Sequence, residues 1–235
     1  MTLKAILFDF NGIIINDEPL HERLIEQLLL EENVRIRPGE FRELCLGRSD
    51  RVCLTDVLNN HGRVVSDEYL ERLIARKTQA YIQQIEAIEE LPIYSGVHEF
   101  IAKIHAANLK MAIVSGAVRP EIELILNRVN LSEYFPIIVT GDDVESSKPD
   151  PEGYLLALDH LNKLYPDEEF FPSECLAIED TFAGIKAAQH ARMAVVGVAH
   201  TYPLHMLQRL ANWSVDRFLD LELERVQQSY ELEVA

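Results

Sequence analysis

The chain is short of positive charge. Lys and Arg total 22 against 39 Asp and Glu, a formal net charge of −17 over 235 residues. A surface of that sign repels nucleic acid and anionic lipid, which excludes both as expected partners. Cysteine is scarce too. Cys45, Cys53 and Cys175 are odd in number and form no C-x-x-C pair, so they predict reduced packing residues rather than a disulfide framework. No apolar run reaches membrane length and no leader-like segment stands out. The expectation is a soluble, cytoplasmic protein, taken as a monomer. Internal repeats and low-complexity stretches are also missing. Apolar residues, by contrast, make up 48% of the chain, ample for a buried core.

Strand-like runs fall near residues 3–8, 110–114, 137–140, 175–179 and 194–198, with 215–218 as a possible sixth. Helical periodicity lies between them, at 95–107, 119–129 and 153–164. Strands alternating with helices of this length predict right-handed β-α-β units and a doubly wound parallel sheet, the Rossmann-like α/β class. Residues 17–91 break the rhythm. They contain apolar spacings for four helices and no convincing strand, which predicts an α-helical cap domain inserted after the first strand. The expected division is 1–16 and 92–235 for the core and 17–91 for the cap, with Leu91-Pro92 and Ser95-Gly96 as the return hinge. The tail, 219–233, reads as acidic and partly helical.

Four motifs share one address, the point where an expected strand gives way to a loop. They are Asp9 with Asn11, Ser115-Gly116, Lys148-Pro149 and Glu179-Asp180. Carboxyl ends of strands in such a sheet converge, so the four should meet in one crevice. Their chemistry is complementary. A carboxylate such as Asp9 can attack phosphorus and split one difficult step into two. Asp9 and Asp180 can bind Mg²⁺, a hard cation that takes one or two carboxylates and completes its shell with waters and phosphate. Lys148 can screen the nucleophile. The Ser115 hydroxyl and the N–H groups of residues 115–117 can hold phosphate where a helix begins. Local cations of this kind are needed, because the acidic surface would otherwise repel a phosphorylated ligand.

This pattern closely resembles the haloacid dehalogenase-like superfamily, in its β-phosphoglucomutase and phosphoglycolate-phosphatase branch. The first motif appears as Asp9-Phe10-Asn11-Gly12, the lysine motif as Ser147-Lys148-Pro149, and the acidic motif as Glu179-Asp180 continuing through Thr181 to Ala188. The resemblance implies a Mg²⁺-dependent phosphatase acting on a small phosphorylated metabolite through an aspartyl-phosphate at Asp9. It implies metal ligands at Asp9, the backbone carbonyl of Asn11, Asp180 and Glu179, the last directly or through water. Ser115 and Lys148 would hold phosphate.

Asn11 departs from the pattern. The family's second Asp, the residue expected there, moves protons at the leaving oxygen and the attacking water, and an amide does neither. Weaker candidates lie in the cap. Arg48 and Arg51, around the Gly47-Arg48-Ser49-Asp50 loop, could meet a second anionic group, with a surface ion pair as the plain alternative. Lys77, the cap's only lysine, falls where mutase-like members place a phosphate-facing amine. His21 falls where relatives place a hinge histidine. The other histidines have no metal-like spacing, and Asp142-Asp143 reads equally as metal support or as a turn. A phosphomutase remains a rival through Arg48, Arg51 and Lys77. A dehalogenase is opposed by Glu179-Asp180, and a phosphonatase by the late position of Lys77. A catalytically reduced phosphometabolite-binding protein rests on Asn11 alone.

Overall fold

The computed structural model of the chain describes residues 2–232. Its centre is a six-stranded sheet, parallel throughout, built from β1 (Ala5–Phe8), β2 (Lys110–Val114), β3 (Ile137–Val139), β4 (Cys175–Glu179), β5 (Ala194–Val198) and β6 (Trp213–Val215). The spatial order is β3-β2-β1-β4-β5-β6. β1 is wholly buried, as an unbroken apolar run in a two-faced parallel sheet requires. Its alternation divides the core. Ile6 and Phe8 pack with α5 (Val97–Ala106) and α6 (Arg119–Arg128) on one face. Ala5 and Leu7 pack with α7 (Glu152–Leu164) and α8 (Phe182–His190) on the other. The chain order reverses at β1, which opens a crevice at the carboxyl ends of β1, β2 and β4.

Between β1 and α5 lie α1 (Glu18–Glu31), α2 (Glu40–Leu44), α3 (Asp50–Asn60) and α4 (Asp67–Ala87). Their inward stripes form a separate apolar cluster that includes Ile25, Leu29, Phe41, Leu54, Val57 and Leu73. The entering and returning chains pair briefly through an antiparallel Ile15–Ile93 bridge and the Asn16 N–H donating to Pro92 O at 2.8 Å. After β5 come α9 (Leu204–Leu207), β6 and α10 (Leu223–Leu232). Residue 233, expected in the tail helix, lies outside the described residues. No described helix is long and apolar enough to cross a membrane.

Two expectations need correction. The sixth strand is Trp213–Val215, not 215–218; Phe218–Asp220 is a 3-10 turn. This edge strand is only half-buried, so its apolar signal is weak and the buried Phe218 beyond it misleads. Cys45 and Cys53 are joined in a disulfide, with Cα atoms 4.4 Å apart. The turn between α2 and α3 folds the two cysteines together, which spacing alone did not reveal. Cys175 is free and buried, and burial pushes its thiol up to about 12.

Candidate active site

The sheet register brings the acidic strand ends together. Phe8 is paired with Ile113 on one side and Ile178 on the other, so Asp9 emerges beside Val114 and Glu179. The Asp9 N–H donates to Ile178 O at 3.0 Å. Asp9 Oδ1 accepts from the Phe10 N–H at 2.8 Å and lies 2.9 Å from Lys148 Nζ. Lys148 also donates to Glu179 Oε1 at 2.7 Å and to Val114 O at 2.9 Å. Burial alone would depress the Lys148 ammonium, but Asp9 and Glu179 outweigh it and raise its pKa.

Asp9, Glu179 and Asp180 are all buried, and one oxygen of each falls within 4.8 Å of the others. Tyr154 Oη donates to Glu179 Oε1 at 2.6 Å, and the Thr201 hydroxyl donates to Asp180 Oδ2. Glu179 Oε2 and Asp180 Oδ1 are buried with no hydrogen-bond partner among the described residues. Burial, then the charge of Asp9, pushes the Glu179 carboxyl up to about 7; the same causes and Glu179 raise Asp180 well above the carboxylate range. Orphaned acceptors among mutually repelling acids fit a hard divalent cation. The donor set is all oxygen, as Mg²⁺ requires. Gly12 completes the fit. It holds a left-handed φ of +76°, and a Cβ there would run into the Asp180 carboxylate.

Ser115 follows β2 directly. Its hydroxyl accepts from the Ala117 N–H at 3.1 Å and lies 3.4 Å from Asn11 Oδ1. The helix after it begins at Arg119, two residues later than the expected phosphate loop, so the N–H groups of 115–117 belong to a turn. The loop before α3 closes over this turn. A Cβ on Gly116 would stand 2.7 Å from the Arg48 carbonyl, and the Ser49 N–H donates to Ser147 Oγ at 2.8 Å. The pocket beside it is lined by Asp9, Asn11, Glu18, His21, Arg48, Asp50 and Gly116, together with apolar side chains and the disulfide.

The remaining candidates are placed as follows. The Arg48 guanidinium pairs with Asp56 at 2.8 Å, at the pocket's edge. Arg51 faces Glu71 and Asp67 on the outer surface. Lys77 is buried and its amine does not line the pocket; it lies 2.8 Å from Asp50 and 3.1 Å from Glu121. Burial opposes its charge, but those two carboxylates outweigh it and raise its pKa. Asp143 is a turn acid, accepting from the Thr140 N–H and hydroxyl and from Arg119. His21 lies 3.1 Å from Asn11 Nδ2 and stacks on Tyr81.

Four contributors escaped the sequence reading. Tyr154 and Thr201 hold the acidic pair. His200 Nδ1 lies 2.7 Å from Gly12 O and the ring stacks on Tyr94, bracing the first motif's turn. Asp17 touches Asn11, His21 and Tyr81. Only Asp17 left a sequence signal, an acid just before a helix, and that signal points to capping.

Comparison with known proteins places this geometry. A family model described as haloacid dehalogenase-like hydrolase matches residues 6–198. The chain is 30% identical over 195 residues to a putative phosphatase, YhcW, of Bacillus subtilis, covering 83% of this chain and 82% of that one. It is 26% identical to a phosphorylated carbohydrates phosphatase of Thermotoga maritima, covering 85% and 87%. Among solved structures, a β-phosphoglucomutase from Clostridium difficile superposes with a TM-score of 0.85 over 99% of both chains, at 26% identity.

Proposed function

We propose that this chain, which belongs to the haloacid dehalogenase-like hydrolase family, is a Mg²⁺-dependent phosphatase that uses Asp9 as nucleophile on a small phosphorylated metabolite. Hydrolysis of phosphoric monoesters is the activity its phosphatase relatives support. A sugar phosphate is the favoured substrate class, given the carbohydrate phosphatase among them. The observation that carries the reading is the meeting of Asp9, Ser115, Lys148 and Glu179-Asp180 in one crevice with two carboxylate oxygens unpaired.

The residues divide the work. Asp9 Oδ1 is held by Lys148 and its neighbour's N–H, which leaves Oδ2 to attack phosphorus. The aspartyl-phosphate so formed is then opened by water. Lys148 lies where it offsets charge on both Asp9 and the incoming phosphoryl oxygens. Ser115 and the turn after it would hold the phosphate. Asp9, Glu179, Asp180 and the carbonyl of Asn11 would hold Mg²⁺, which when bound supplies positive charge that three carboxylates and one lysine lack. Asn11 cannot pass a proton, so substrates with good leaving groups should react fastest in the first step. Residues 17–91 would act as a cap that excludes water while the phosphoryl group is exposed.

A mutase is the second reading, favoured by the superposition on a β-phosphoglucomutase. It needs a free cation for a second phosphate, whereas Lys77 and Arg48 already carry carboxylate partners. The test is phosphate release from a panel of sugar and short-acid phosphates, with and without Mg²⁺. Release should require Mg²⁺ and fall to background in Asp9→Asn. Unchanged release in that variant would sink the proposal, and isomerised sugar phosphate without net release would favour the mutase.

A further inference from the structure

Asn11 stands where the resemblance leads one to expect a carboxylate, and the structure sets a carboxylate directly against it. Asn11 Nδ2 donates to both oxygens of Asp17, each at 3.0 Å. Asp17 is 2% exposed. Its Oδ2 also accepts from Tyr81 Oη and lies 3.3 Å from His21 Nε2. Although Asp17 is the residue preceding α1, its side chain caps no helix N–H. It is turned inward instead.

The chemistry fixes the amide's direction. Two carboxylate oxygens, which are acceptors, face the NH₂ end of Asn11, and the same nitrogen lies 3.1 Å from His21 Nε2. The carbonyl end then faces Ser115 Oγ, in the pocket that Asp9 lines. A carboxylate at position 11 would face the same two oxygens, and two such groups in contact cannot both ionise. Asn11 therefore suits a site whose carboxylate stands on residue 17.

We infer that Asn11 and Asp17 are a matched pair: Asp17 is a positioning residue that aims Asn11 Oδ1 into the phosphoryl pocket as a hydrogen-bond acceptor that orients the attacking water. This inference rests on the phosphatase reading of the same site. It makes Asn11 a working part of this active site rather than a lesion in it.

The test is a four-member cycle: the unmodified chain, Asn11→Asp, Asp17→Asn and the swap carrying both. Melting temperature at one neutral pH, kcat and KM for p-nitrophenyl phosphate and a hexose phosphate are measured on each. Asp17→Asn should lose about 10²-fold in kcat, the scale of a small misplacement in a site, with KM nearly unchanged. Asn11→Asp alone should melt lower and gain no kcat. The swap keeps one carboxylate and one amide in contact, so it should regain most of the melting temperature and at least about tenfold in kcat over Asp17→Asn; non-additivity of this kind marks contacting residues. Strictly additive effects would overturn the inference. So would an Asn11→Asp variant that gains about 10²-fold in kcat without melting lower. If the unmodified chain shows no Asp9-dependent release, the phosphatase reading fails and the positioning role with it. The melting cycle then decides only whether the two residues are paired.

Discussion

Two buried lysines in this molecule have similar surroundings and different charge balance. Lys77, on α4, lies 2.8 Å from Asp50 and 3.1 Å from Glu121, with its ammonium 5.3 Å from the Tyr81 ring. Lys148, beyond β3, lies 2.9 Å from Asp9 and 2.7 Å from Glu179, 5.6 Å from the Tyr154 ring. Around Lys77 the account closes. Asp50 lies 2.8 Å from the ammonium, and both oxygens of Glu121 lie within 3.2 Å of it. Around Lys148 it does not. Asp180 adds a third acid, and two carboxylate oxygens there have no partner. A closed buried triad is a joint, here between α4, α3 and α6. An open one calls for a further cation, which is why it is the candidate site.

The comparison can be broken most forcefully at Lys77. Lys77→Met strands two acids in the interior and should cost about 3–5 kcal/mol of stability by chemical denaturation. With the fold held by cold or osmolyte, KM for a monophosphate should not move. A large rise in KM would make Lys77 a substrate ligand and revive the mutase. Lys148→Met should invert that pattern. Loss of one preorganised cation at the reacting group costs about 10²–10³-fold in kcat, read from initial rates. A fall in melting temperature with kcat intact would make both triads mere joints.

Mg²⁺ sharpens the contrast further. Saturation to about 100 times its dissociation constant should stabilise the chain by about 2.7 kcal/mol, and chelation should reverse it. In Asp180→Asn the shift should shrink, whereas in Lys77→Met it should persist. Equal shifts in the two variants would place the cation elsewhere. The smallest effect concerns a satisfied acid in the helical segment. Glu40 is held at about 2; burial opposes its charge, but the Arg37 N–H, His61 and Asn60 outweigh it. A carboxyl depressed in the fold stabilises above its ordinary 4.5 and loses that contribution as pH falls toward about 2. Acid titration of stability should therefore be shallower in Glu40→Gln across that window, while the neutral side stays parallel.

Much of this was legible in the chain. Ala5 to Phe8 is apolar on both faces and ends in Asp9, and only a central parallel strand tolerates both features. Ser115, Lys148 and Glu179-Asp180 follow similar runs, so their convergence followed from topology. The helices between Glu18 and Ala87 were visible in the spacing of Leu20, Leu24, Leu28 and their successors. Other features were not legible, for separable reasons. The partners of Lys77, a candidate phosphate-facing amine, were not legible because Glu121 lies 44 residues away in the chain. Cys45 and Cys53 meet only through the turn between two helices. Asp17 was not singled out, because local sequence cannot say which way a side chain turns.

The sequence by itself determined the alternation of elements, the strand ends that carry acids and a lysine, and an acidic surface that demands cations at the site. Those depend on periodicity and composition, which act over a few residues. The tertiary structure alone decided which charges are spent on one another. Lys77 went to Asp50 and Glu121, Asn11 to Asp17, while Glu179 and Asp180 kept oxygens unpaired. Charge pairing depends on distance through space and on exclusion of water, and neither is fixed until distant segments of the chain have packed.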